Sequence, residues 1–106
     1  MNSSINKKIF NHIARSPMFF SKNNISFMSR KCDDFYLGFI LPRSIGSAVN
    51  RNNFKRKCRA AFYEIKNKKP STPFGVIVKP KNITLDFTKI HTSFNGWIEA
   101  NNEMES

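Results

Sequence analysis

The sequence predicts an α+β fold: a small mixed β-sheet packed with helices in the order α-β-β-β-α-β-α. Three observations carry this reading. Phe35 to Leu41 and Phe74 to Val78 are near-continuous apolar runs of strand length, closed by Pro42 and by Lys79-Pro80. Between them, Phe54, Cys58, Ala61, Phe62 and Ile65 recur at the spacing of one helix face. Near the end of the chain, Phe87, Ile90, Phe94, Trp97 and Ile98 do the same.

Each element has a local reason. Asn6 to Ala14 reads as a short helix, with Ile9, Phe10 and Ile13 at i, i+1 and i+4, stopped by Pro17. Ile25 to Met28 reads as a short strand and Arg30 to Asp34 as a polar turn. Phe35 to Leu41 is the clearest strand, placed in the middle of a sheet by its apolarity. Gly46-Ser47 offers a flexible position and an N-cap hydroxyl to the helix that follows, which is expected to run to about Lys66. Lys66 to Pro73 is a loop with two prolines, and Thr84-Leu85-Asp86 caps the last helix, which Gly96 weakens.

At 106 residues the chain is expected to be one domain, 1–106, with a polar tail frayed after about residue 100. Eleven phenylalanines supply a core without staples. Cys32 and Cys58 make neither a disulfide framework nor a metal-ligand spacing, and Cys58 falls on the apolar stripe as a buried thiol. Free thiols, no membrane-spanning run and no apolar signal core lead to a cytoplasmic expectation with no membrane partner.

The formal net charge is +11, and nine of the 18 Lys and Arg residues lie between Arg43 and Lys69, beside a single acid, Glu64. On a helix, Arg51, Asn52, Lys55, Arg56 and Arg59 cover one contiguous arc next to the apolar stripe. So many like charges repel on a free helix, so a polyanion is expected against them, and RNA is the favoured one. The bland alternative, a generally solubilising surface, does not account for the clustering. A ribosomal-type structural RNA-binding protein accounts for it equally well. A helix-turn-helix reading fails because a strand ending in proline precedes the basic helix.

Nothing points to covalent chemistry within the chain. His12 and His91 each fall on the polar side of a helix and are read as solvated, and Asp33-Asp34 as a solvated turn. There is no phosphate-cradling glycine loop. No catalytic and no metal-ligating residue is assigned.

Residues 38–62 resemble the protein subunit of bacterial ribonuclease P. Gly46, Ala48-Val49, Arg51-Asn52, Lys55-Arg56, Arg59 and Phe62 fall in register with that family's signature without a gap. Phe74 to Pro80, Leu85 onward, and Phe10 with Ile13 extend the resemblance to about 80 residues. It implies a left-handed βαβ crossover holding the basic motif. It also implies a role in removing the 5′ leader of precursor tRNA, with catalysis and magnesium belonging to the ribonuclease P RNA and no cofactor on the chain itself. The implied RNA contacts are Arg43, Arg51, Asn52, Lys55, Arg56 and Arg59, where Asn52 either caps the helix or bonds RNA. The implied leader contacts are Phe10, Met28 and Tyr36, each with a competing core reading. The pattern departs at Asn53, where arginine is usual, at Pro42-Arg43-Ser44, which keeps one cation of two, and at Ala14, where an aromatic is common. Lys57 supplies a nearby charge from another side of the helix.

Overall fold

The structure is a computed structural model that describes the backbone of residues 5–105 and side chains as far as Asn101. Three helices, α1 (Lys7–Arg15), α2 (Ala48–Lys68) and α3 (Phe87–Glu105), accompany one sheet of β1 (Met18–Lys22), β2 (Ile25–Lys31), β3 (Tyr36–Phe39) and β4 (Phe74–Pro80). A short 3₁₀ turn, Arg43–Ile45, follows β3. Strand order is β1-β2-β4-β3. β1 and β2 pair antiparallel, as do β2 and β4, whereas β3 runs parallel to β4. The sheet is therefore mixed, and α2 is the crossover between its two parallel strands, as such a pair requires.

Local chemistry starts each element. Asn6 Oδ1 accepts from Ile9 N at 2.9 Å and caps α1. Ser47 Oγ accepts from Asn50 N at 3.1 Å and caps α2, so Asn52, inside the first turns, does not cap it. Asp86 Oδ1 accepts from Lys89 N at 2.8 Å at the start of α3. α2 continues to Lys68, slightly past the expected Lys66. α3 runs through Glu105, with Asn101 buried and its Nδ2 donating to Trp97 O.

The strand without an assigned place in the sequence reading is β1. It joins β2 through Asn23-Asn24, both in the left-handed region at φ 54° and 64°. Two consecutive positive φ values are what a two-residue hairpin of matching twist needs, and asparagine tolerates them better than other side-chain-bearing residues. Asn23 Nδ2 also donates to Lys89 O and Ser93 Oγ, tying the hairpin to α3. Phe35 to Leu41 contributes only Tyr36–Phe39, and as an edge strand rather than a central one. Its apolarity serves instead to seat α2 on one side: Phe35 packs on Phe62 and Phe39 on Phe54.

The core lies between one face of the sheet and the pair α2 and α3. Phe27, Phe62, Phe74 and Phe94 surround Trp97, whose Nε1 donates to the buried Ser29 Oγ at 2.9 Å. The whole expected stripe of α2 is buried. In α3 the stripe holds from Ile90 onward, but Phe87 is exposed, against His91. Gly96 sits close under β1: a Cβ there would stand 3.0 Å from Phe20 Cζ, so the ring would have to shift slightly.

Neither histidine is simply solvated. His91 Nε2 donates to Glu64 across α2 and α3 while Asn95 Nδ2 lies 3.0 Å from His91 Nδ1. That hydrogen bond holds the Glu64 carboxyl below its ordinary range. His12 Nε2 donates to Lys31 O at 3.1 Å, and Arg30 Nη1 donates to His12 O at 2.8 Å, fastening α1 to β2.

Phe62→Ala should cost about 3–5 kcal/mol in chemical denaturation, because the ring is buried against Phe35 and Trp97. A loss below about 1 kcal/mol would contradict this packing. The Glu64 contribution is fully present above the ordinary carboxylate pKa and fades as pH falls through its lowered value. In Glu64→Gln, that acid-side slope in a stability-against-pH series should disappear.

Candidate nucleic-acid interface

α2 presents its cations beside the edge strand β3. Lys55 Nζ lies 6.0 Å and the Arg59 guanidinium carbon 5.9 Å from the centre of the half-buried Phe39 ring. Cations at that distance from a ring face are weakly attracted to it, which orders two long side chains that repulsion would otherwise spread. Further round the helix, Arg56 and Asn52 are exposed. Arg56 Nη2 donates to Asn53 Oδ1 at 3.0 Å. Asn53 thus brings no charge of its own but holds its neighbour's. Arg51 is half-buried, with its Nε enclosed and without a hydrogen-bond partner. Arg43 stands on a separate element, the exposed 3₁₀ turn. Lys57 is directed elsewhere: its Nζ donates to Leu85 O at 3.4 Å, serving the junction before α3.

The second surface is a cleft of about 290 Å³ lined by Ile5, Asn6, Lys7 and Phe10 on the α1 side and by Gly38, Phe39 and Ile77 on the sheet. Beside it, glycine occupies the sheet where α1 and the chain before it come close. A Cβ at Gly38 would stand 2.8 Å from Ile5 Cδ1, and one at Gly75 would stand 2.7 Å from Ile13 Cδ1. Phe10 is 36% exposed and forms a wall of the cleft. Its core reading is thereby set aside. Met28 and Tyr36 share the sheet face with the cleft, Met28 paired with Ile77 and Tyr36 two residues before Gly38, but neither lines it. Tyr36 Oη donates to Asp33 Oδ1 at 3.1 Å, a bond that raises the phenol's pKa above its usual value.

Phe39 is the residue common to both surfaces, and the sequence reading had it only as strand core. A second residue missed there is Tyr63, 62% exposed. Its signal was available: four residues after Arg59 and seven after Arg56, it falls on the basic arc and not on the apolar one. Among the described residues no group of three or more His, Cys, Asp or Glu is placed to hold a metal ion, and no helix is long and apolar enough to cross a membrane.

Comparison with known proteins gives a consistent picture. The family model described as Ribonuclease P matches residues 5–101. A curated relative, the ribonuclease P protein component of a Nitratiruptor species, is 33% identical over 57 residues, which cover 54% of this chain and 52% of that protein. The alignment thus spans about half the relative's length. The fold is shared with the RNase P protein of Staphylococcus aureus, at TM-score 0.75 and 20% identity over 95% of this chain and 96% of that one. It is also shared with the RNase P protein of Thermotoga maritima, at TM-score 0.68 and 24% identity over 83% and 86%.

Arg56 and Tyr63 project away from the core, so Arg56→Ala and Tyr63→Ala should each leave unfolding free energy within about 0.5 kcal/mol of the parent. Chemical denaturation checks this, and a larger loss would mean that these side chains support the fold.

Proposed function

The chain belongs to the Ribonuclease P family, and from that premise we propose that it is the protein component of a ribonuclease P ribonucleoprotein that removes the 5′ leader of precursor tRNA in the cytoplasm. The observation that carries this reading is the junction at Phe39, where a cleft of about 290 Å³ opens beside the cations of α2.

In this reading Arg51, Lys55, Arg56 and Arg59, with Arg43 and Asn52, contact phosphates of the ribonuclease P RNA. Arginine offers a fork to paired phosphate oxygens, and lysine a point charge. The cleft takes the single-stranded leader, whose bases stack on exposed rings such as Phe10 while its phosphates stay near Lys7 and the α2 row. Met28 and Tyr36 extend the same face. Hydrolysis and its magnesium ions belong to the RNA subunit. The protein contributes by neutralising phosphates that would otherwise repel one another as the RNA closes around its metals.

The test is cleavage of a precursor tRNA by the cognate ribonuclease P RNA at low magnesium, with and without this protein. Stimulated cleavage at the mature 5′ end is expected. Salt-sensitive RNA binding without stimulation would replace this reading with that of a structural, ribosomal-type RNA-binding protein. Binding should also weaken with salt at a logarithmic slope of about −0.7 to −0.9 per phosphate contacted. Arg59→Ala should flatten that slope by about one contact, and an unchanged slope would remove Arg59 from the interface.

A further inference from the structure

The sheet face that carries the cleft continues past it to the opposite edge of the molecule. Strand register places Gly38 beside Ile77, Ile77 opposite Met28 and Met28 opposite Phe19. These four residues share one face, because side chains alternate along each strand and directly paired residues point the same way. They form an apolar strip across all four strands. At about 4.8 Å per strand it runs about 14 Å from β3 to β1.

Phe19 is the anomaly on this strip. It is 72% exposed, the most exposed of the large apolar side chains described. Its neighbour Phe20 turns to the other face, where its ring packs on Phe27 and approaches Gly96. Phe19 therefore cannot be recruited to the core without flipping the register of β1. The adjoining row on the same face, Ser21, Ser26 and Lys79, contains no carboxylate and one exposed lysine. Ser21 Oγ and Ser26 Oγ lie 3.1 Å apart in the row next to Phe19. A bare ring with hydroxyls in the next row and Lys79 two strands along that row, on a chain of formal net charge +11, fits a planar apolar group attached to an anionic backbone.

We propose that Phe19 is a base-stacking platform that extends the leader track from the cleft, over Met28, to the β1 edge. It takes a nucleotide of the single-stranded leader farther from the cleavage site than those held at Phe10. This rests on the reading of the cleft as the leader site. It adds a residue and a direction: the leader crosses the strands instead of leaving along α1.

The experiment uses the holoenzyme reconstituted with cognate ribonuclease P RNA and two precursor tRNAs, one with a long leader and one trimmed to the nucleotides nearest the cleavage site. For the parent protein the long leader should bind more tightly. Phe19→Ser should lower affinity for the long-leader substrate by about five-fold or more relative to the short one. Phe19→Trp should restore it. Loss of discrimination in Phe10→Ala but parental discrimination in Phe19→Ser overturns the platform and leaves the cleft reading intact. No discrimination by the parent protein overturns both. The β1 edge also offers unpaired backbone to a second copy of the chain. If Phe19→Ser abolishes a self-association seen by sedimentation while leader discrimination is unchanged, the ring is a protein contact and the proposal is wrong.

Discussion

The packing of Trp97 is the constraint on which the rest of this molecule depends. The indole lies in α3, stacks on Phe27 of β2, and meets Phe62 of α2 and Phe74 of β4. Four elements therefore converge on one side chain. Its N–H is the polar liability of such a position, and Ser29, itself buried in β2, accepts from it. An indole N–H left without a partner there would cost about 1–3 kcal/mol. With the bond made, α3 has one height and one rotation on the sheet, and α2, packed against the same rings, inherits its own.

That rotation of α2 decides where the charge goes. The apolar stripe from Phe54 to Ile65 is committed to the core, so the arc from Arg51 to Arg59 faces outward beside β3. The repulsion within this row has few internal remedies: Phe39 faces two cations and Asn53 holds one. Surface interactions of this kind are each worth a fraction of a kcal/mol to about one. They orient the side chains without neutralising them, which suits a surface whose counter-charge comes from a partner.

The two faces of the sheet are unequal for a reason of size. Two long helices, α2 and α3, close one face, whereas the nine-residue α1 is only about 14 Å long and packs mainly over β2 and β4. Gly38 and Gly75 let the N-terminal segment approach closely where it does cover the sheet. Beyond that coverage, among the described residues, Phe10 stands exposed at one end of the face and Phe19 at the other. The cleft is thus the complement of a core that a short chain could complete on one side only.

Much of this was legible in the sequence by itself. The 3.6-residue recurrence of Phe54, Cys58, Ala61, Phe62 and Ile65 marked both the buried face of α2 and, by exclusion, its cationic arc. Ser47 and Asp86 marked helix starts, and the ordered run from Gly46 to Arg59 marked the family. These features are local: each is decided by a few neighbouring residues and the geometry of one helix. What the sequence did not reveal is non-local. One of the three strands expected before α2 had no residues assigned to it, because the five of β1, without an apolar alternation, gain their meaning only when Asn23-Asn24 fold them onto β2. The edge position of β3 depends on a parallel pairing with β4 across the whole of α2. Phe39 and Phe19 look alike as aromatic strand residues. Tertiary structure alone made one a shelf beneath two cations and left the other bare, because strand order and register determine which side of a sheet has a neighbour.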